Sequence, residues 1–168
     1  NVLIRNCRIT LNRLNTTTVG IYAGNHIATA TTALPITATS DAMSDCRFFS
    51  NTIQNSVTGI SLRGYAAAAA PYDLYDQNNK VGNAGTGNII QNFGGTTTGA
   101  AVNLQYQNNA EVINNTINNT AATGIPATSI LYGIYVQNGK NTTIAANSNL
   151  ITLTSGTTGS AMYGINIT

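Results

Sequence analysis

The strongly reactive side chains of this 168-residue chain are few: Asp41, Asp45, Asp73, Asp76 and Glu111, the single His26, Cys7 and Cys46, and seven Lys and Arg. General acid–base chemistry needs two titratable groups converging on one bond, and a metal centre needs several ligands at matched spacing. The acids fall on loops or at a strand start, His26 has no nucleophile arranged beside it, and the two cysteines lack metal-ligand spacing. The sequence therefore predicts no catalytic residue, no metal and no cofactor. The cysteines leave two arrangements open, free thiols that fill space or a bridge between neighbouring units. The densest cluster of functional groups is Tyr72, Asp73, Tyr75 and Asp76, in the stretch 64–79. Rings beside carboxylates suit a binding ridge, where the ring stacks on an apolar face and the carboxylate accepts hydroxyl hydrogen bonds. The alternative is that the tyrosines pack this loop down and the aspartates are solvated.

The elements that position these groups are strands. A Gly or Ala followed by alternation recurs as Gly20-Ile21-Tyr22-Ala23, Gly59-Ile60-Ser61-Leu62, Ala101-Val102-Asn103-Leu104, Gly133-Ile134-Tyr135-Val136 and Gly164-Ile165-Asn166-Ile167. Between these lie apolar segments that end in Asn: Leu3 to Asn6, Phe48 to Asn51, Ile89 to Asn92, Val112 to Asn115 and Ile144 to Asn147. The two motifs alternate in constant order at intervals of roughly 20 to 45 residues, the mark of a repeat architecture, and the period of two within them specifies strands. A constant motif at variable spacing means a fixed rung with inserted loops, here at about 26–44 and 64–79. The first of these alternates Thr with apolar residues and predicts a hairpin-like flap. The recurring Asn has a structural role: Asn6, Asn51, Asn92, Asn115 and Asn147 are predicted to stack as an internal ladder of primary amides.

Asn1 to Thr10, Asn51 to Asn55 and Asn114 to Asn119, each followed downstream by Gly-Ile or its equivalent, resemble the right-handed parallel β-helix repeat of the pectin-lyase-like superfamily, over essentially the whole chain. The resemblance implies an all-β, single-stranded solenoid of about five coils, with residues 1–168 one segment of a longer protein cut at both ends. That superfamily holds polysaccharide lyases and glycoside hydrolases as well as non-catalytic surface proteins, and fold alone does not choose among them. Hydrolase-like members need carboxylates converging on the outer face of one strand stack, and lyase-like members need a calcium site with a basic Arg or Lys. Here the outer positions of the Gly-led strands are Tyr22, Ser61, Asn103, Tyr135 and Asn166, followed two residues on by Gly24, Arg63, Gln105 and Gln137. None is a carboxylate.

Composition points the same way. Charged residues are 7% of the chain, the net charge is +2, and Asn with Thr makes up roughly three residues in ten. Neutral amides and hydroxyls thus replace charge, which suits strands and tight corners and disfavours helices. Seven scattered cations make no nucleic-acid surface, and no apolar run reaches the roughly 20 residues of a membrane span. The expectation is a non-catalytic segment of a large secreted or cell-surface bacterial protein, an adhesin-like stalk or glycan-contacting surface using Tyr22, Tyr135, Asn103, Gln105 and Gln137 with the Tyr72–Asp76 loop. The alternative is part of a polysaccharide lyase or glycoside hydrolase whose catalytic coil lies mostly elsewhere. Expected partners are the rest of the same polypeptide on both sides and a glycan or another surface or secretion protein. The expected location is extracellular or at the cell surface.

Overall fold

The computed structural model describes residues 1–27, 29, 34–67, 69–120, 127–145 and 148–168. It is all-β, with three five-stranded sheets whose strand pairs are parallel throughout. Sheet A holds β1 (Leu3–Arg5), β4 (Arg47–Phe49), β8 (Lys80–Val81), β12 (Glu111–Val112) and β15 (Thr143–Ile144). Sheet B holds β2 (Arg8–Thr10), β5 (Thr52–Gln54), β9 (Ile89–Gln91), β13 (Thr116–Asn118) and β16 (Leu150–Thr152). Sheet C holds β3 (Val19–Gly24), β6 (Thr58–Arg63), β10 (Gly99–Gln105), β14 (Leu131–Gln137) and β17 (Met162–Ile167). The chain thus visits A, B and C in fixed order, and each circuit stacks on the one before, as in a β-helix solenoid. A further parallel pair, β7 (Asp76–Gln77) and β11 (Gln107–Asn108), lies between circuits at a corner.

The core is built from vertical rows of like residues. Ile53, Ile90 and Ile117 stand in register along sheet B, Phe48, Val81 and Val112 along sheet A, and Ile60, Val102 and Ile134 along sheet C; all nine are essentially inaccessible to solvent. Each contributes about 1.5–3 kcal/mol by leaving water. In sheet C the residue before each of these also turns inward, which explains the small residue that opens the motif. A Cβ at Gly59 would lie 2.5 Å from the Ala101 carbonyl oxygen and 2.6 Å from Ile90 Cγ2, and one at Gly133 would lie 2.5 Å from the Gly164 oxygen and 2.7 Å from Ile151 Cγ2.

Two expectations shift in register. Ile89 and Ile90 belong to sheet B, and the sheet A strand of their circuit is Lys80–Val81, just beyond the stretch read as an insertion. Leu3 pairs with Arg47, so Asn6 sits opposite Ser50, one residue short of the position of Asn51. In the 26–44 insertion the described residues include a single 3-10 turn at Thr39–Asp41, and Ile36 packs inward with 6% exposure.

The amide ladder therefore runs through different members. Asn51 Nδ2 donates to Asn88 Oδ1 (3.0 Å), Asn88 Nδ2 to Asn115 Oδ1 (2.9 Å) and Asn115 Nδ2 to Asn149 Oδ1 (3.0 Å). Backbone N–H groups follow the same path, from Cys7 to Asn51 Oδ1, from Asn51 to Asn88 Oδ1 and from Asn88 to Asn115 Oδ1. Asn51 and Asn115 stand in this ladder, whereas Asn6 and Asn92 do not, and Asn147 lies outside the described residues. Asn6 and Asn92 take left-handed backbone conformations, with φ of 58° and 51°. Asn92 instead donates its side-chain amide to Asn55 at the corner after sheet B. Asn serves two ends here, an inward amide at one corner and a tolerant backbone at others, and the sequence motif does not separate them.

Candidate functional site

The outer face of sheet C is organised by the register that aligns its inward rows. Tyr22, Ser61, Asn103, Tyr135 and Asn166 form one lateral row, and Gly24, Arg63, Gln105 and Gln137 form the next. Tyr22 is 43% exposed and leans on His26, ring centroids 5.2 Å apart, while Ser61 is nearly covered at 8%. Gln137 Nε2 donates to Asn103 Oδ1 at 3.0 Å, tying the two rows together. Arg63 is half-buried, and its Nε has no partner among the described residues.

Tyr135 does not stand alone. Its ring stacks on Tyr132 at 4.3 Å and 15°, and Tyr132 stacks in turn on Tyr163 at 5.3 Å and 18°. The three rings form a pile with Tyr132 in the middle, so the faces free for a ligand are those at its two ends. Partial burial, with Tyr135 and Tyr163 as neighbours, raises the Tyr132 phenol above its ordinary pKa. Tyr132 and Tyr163 escaped the strand-motif reading. The signal was present, since Tyr-Gly-Ile occurs at both 132–134 and 163–165 and the two copies pair in register.

The second group of candidates divides. Tyr72 is half-buried, with Lys140 Nζ 4.7 Å from its ring centroid, and Asp73 is exposed. Tyr75 and Asp76 face inward, at 4% and 0% exposure, and do not form a projecting ridge. Tyr75 packs against Tyr72 and edge-on against Tyr106. Asp76 ends a buried polar chain: Cys46 N–H donates to Asn79 Oδ1, Asn79 Nδ2 to Gln107 Oε1, and Gln107 Nε2 to Asp76 Oδ2 at 3.1 Å. Its other oxygen accepts the Met43 N–H at 3.0 Å. Burial raises the Asp76 carboxyl to about 6, against the lowering effect of the Gln107 and Met43 hydrogen bonds. Above the same loop, Tyr65, Ala66, Ala67, Ala69, Ala70, Asp73 and Leu74 line an open cleft of about 420 Å³.

The remaining acids are dispersed. Glu111 pairs with Lys80 at 2.5 Å, Asp45 accepts from Asn78, and Asp41 accepts from the Ala38 N–H. Among the described residues no group of three or more His, Cys, Asp or Glu could hold a metal ion, and no helix is long and apolar enough to cross a membrane. Cys7 is exposed and Cys46 buried, both as free thiols. Comparison with protein-family models, curated proteins and solved structures found no match to this chain. What stands is an all-β chain of stacked parallel strands, compatible with a β-helix, with an aromatic and amide face that also carries Arg63 on its third sheet.

Proposed function

We propose that the chain is a right-handed parallel β-helix segment, of about five coils and pectin-lyase-like, from a large secreted or cell-surface bacterial protein. It serves as an adhesin-like stalk whose sheet C face contacts glycans without cleaving them. Right-handedness follows from the strong preference of parallel crossover connections. Membership of a longer stack is supported by the inward rows left open along β17, where Ile165 and Ile167 are 44% and 64% exposed although their register partners Ile134 and Val136 are buried. Such an edge is open to a further stacked coil.

The observation that carries the binding reading is the row Tyr22–Ser61–Asn103–Tyr135–Asn166, which joins rings to neutral hydrogen-bonding groups in one line along the stack. Sugar rings present an apolar face to an aromatic ring and hydroxyls to amides, so such a row suits a polysaccharide lying along the axis. Native affinity electrophoresis through gels cast with neutral or uronate polysaccharides tests this, with reducing-end and unsaturated-product assays on the same mixtures. The expected result is retardation by at least one polymer without product, weakened at least fivefold by Tyr135→Ala. Product release, or migration unchanged in every gel, would overturn it.

A further inference from the structure

Arg63 is the one charged residue in the two outer rows of sheet C. All five acids of the chain are among the described residues, and none comes within ion-pair distance of it. Glu111 pairs with Lys80, Asp76 is sealed against Gln107 and Met43, Asp45 accepts from Asn78, Asp41 accepts from the Ala38 N–H, and Asp73 is exposed. A half-buried guanidinium without a counter-charge has lost hydration and gained nothing for it, and a charge-assisted hydrogen bond to an incoming anion restores the balance. Its Nε is sealed within the face, which leaves the terminal Nη groups as the end that a ligand meets.

The neighbours of Arg63 differ on its two sides. On one side its register partner is Gly24, and Tyr22 lies across that glycine: a Cβ there would be 2.7 Å from Tyr22 Oη, 3.0 Å from Cζ and 3.2 Å from Cε1. The missing side chain lets the ring lie down along its strand, about one strand spacing of 4.8 Å from the strand that carries Arg63. His26 leans on the same ring but turns Nδ1 to the Ile27 carbonyl. On the other side stands Gln105, and beyond it Gln137 donates to Asn103 beside Tyr135. One end of the face is therefore an aromatic platform with a cation at its edge, and the other is aromatic and amide alone.

We infer that the face takes a mostly neutral glycan bearing an isolated acidic sugar, whose ring stacks on Tyr22 while its carboxylate or sulfate ester accepts from Arg63. This rests on the reading of sheet C as a glycan-contacting face. The count of charges decides against the two simpler polymers. A sugar chain along the axis advances about one unit per strand spacing of about 4.8 Å, so a homopolyuronate would set a carboxylate on nearly every coil with one cation to meet them. The other carboxylates would be dehydrated without a counter-charge. A wholly neutral polymer would cover Arg63 and leave it unpaired. Arg63 thus selects where the acidic sugar sits along the row, and Tyr22 supplies the surface under it.

Affinity electrophoresis against four soluble polymers tests the site: a neutral glucomannan, the same glucomannan lightly sulfated, gellan, whose repeat carries a single uronate among neutral sugars, and polygalacturonate. The expected result is that wild-type protein binds a sparsely acidic polymer, gellan for a carboxylate or sulfated glucomannan for a sulfate ester, at least tenfold more tightly than glucomannan or polygalacturonate. Arg63→Gln should abolish that preference and Arg63→Lys keep part of it. Circular dichroism and thermal melts establish that each variant is folded, with Arg63→Met as the replacement if Arg63→Gln unfolds. Half-molar salt should narrow the wild-type preference independently of any variant. A preference that persists in Arg63→Gln, equal binding to all four polymers, or tightest binding to glucomannan or polygalacturonate overturns the acidic-sugar site and leaves glycan contact standing. Absence of retardation by every polymer overturns both.

Discussion

At the scale of single residues, two buried polar groups have consequences that can be measured. Asn115 satisfies Asn88 from below, Asn149 from above and the Val81 carbonyl at its side. Asn115→Ala removes the acceptor of the buried Asn88 N–H and Nδ2, whereas the Val81 carbonyl keeps the Ile113 N–H and Asn149 Oδ1 keeps the backbone N–H of residue 115. With each buried orphan worth about 1–3 kcal/mol, urea denaturation should show a loss of about 2–4 kcal/mol. Asp76 behaves differently. Its folded pKa, raised to about 6 from 3.8, means that the folded state binds the proton more tightly than the unfolded chain. The stability from this group is complete below the unfolded value and is lost as pH rises through about 6. The linkage amounts to about 3 kcal/mol across that window, and Asp76→Asn should remove this slope from stability measured between acid and neutral pH. Asn115 and Asn51 were legible as ladder members from their apolar neighbours. Asn88 and Asn149 were hidden, because Asn88 is displaced from Val81 by the turn Gly82–Gly87 and Asn149 stands five residues after Ile144, where Asn51 and Asn115 each stand three after Phe48 and Val112. Asp76 read as a loop acid, since nothing local in Tyr-Asp-Gln-Asn distinguishes a solvated carboxylate from one sealed by Gln107, 31 residues away.

At the scale of elements, the Gly-led strands were readable in full because their period is strict and no insertion interrupts them. All five became sheet C, in the expected register. The strands of sheets A and B are only two or three residues long, too short for periodicity to tell one sheet from the other. The 64–79 stretch shows the same limit, since its end folds into β7 through pairing with a strand of the following circuit. The opening Gly of the sheet C motif is required by close approach. A branched side chain in Gly133→Val would drive β14 off both β17 and Ile151, and thermal or urea unfolding should show a loss of about 2–3 kcal/mol. Gly133→Ala should be milder, because Ala101 already occupies the equivalent place in β10.

At the scale of the whole molecule, neutral hydrogen bonding does what charge does in most proteins. With 7% charged residues and Lys80–Glu111 the one ion pair among the described residues, cohesion comes from stacked apolar rows and amide ladders. Screening should therefore matter little: the unfolding free energy should change by less than about 0.5 kcal/mol between low and half-molar salt, as followed by urea titration. On the proposed contact face, Tyr22, Asn103, Tyr135 and Gln137 lie along one side of the stack, with Arg63 in the row of Gln137. The most direct test is two-dimensional amide NMR of the chain titrated with oligosaccharides of whichever polymer retards it in the gel. Shifts clustered on residues of β3, β6, β10 and β14 that flank Tyr22, Ser61, Asn103 and Tyr135, with the sugar recovered intact, are the predicted result. Shifts confined to the 64–79 loop, or sugar recovered as cleavage products, would contradict it.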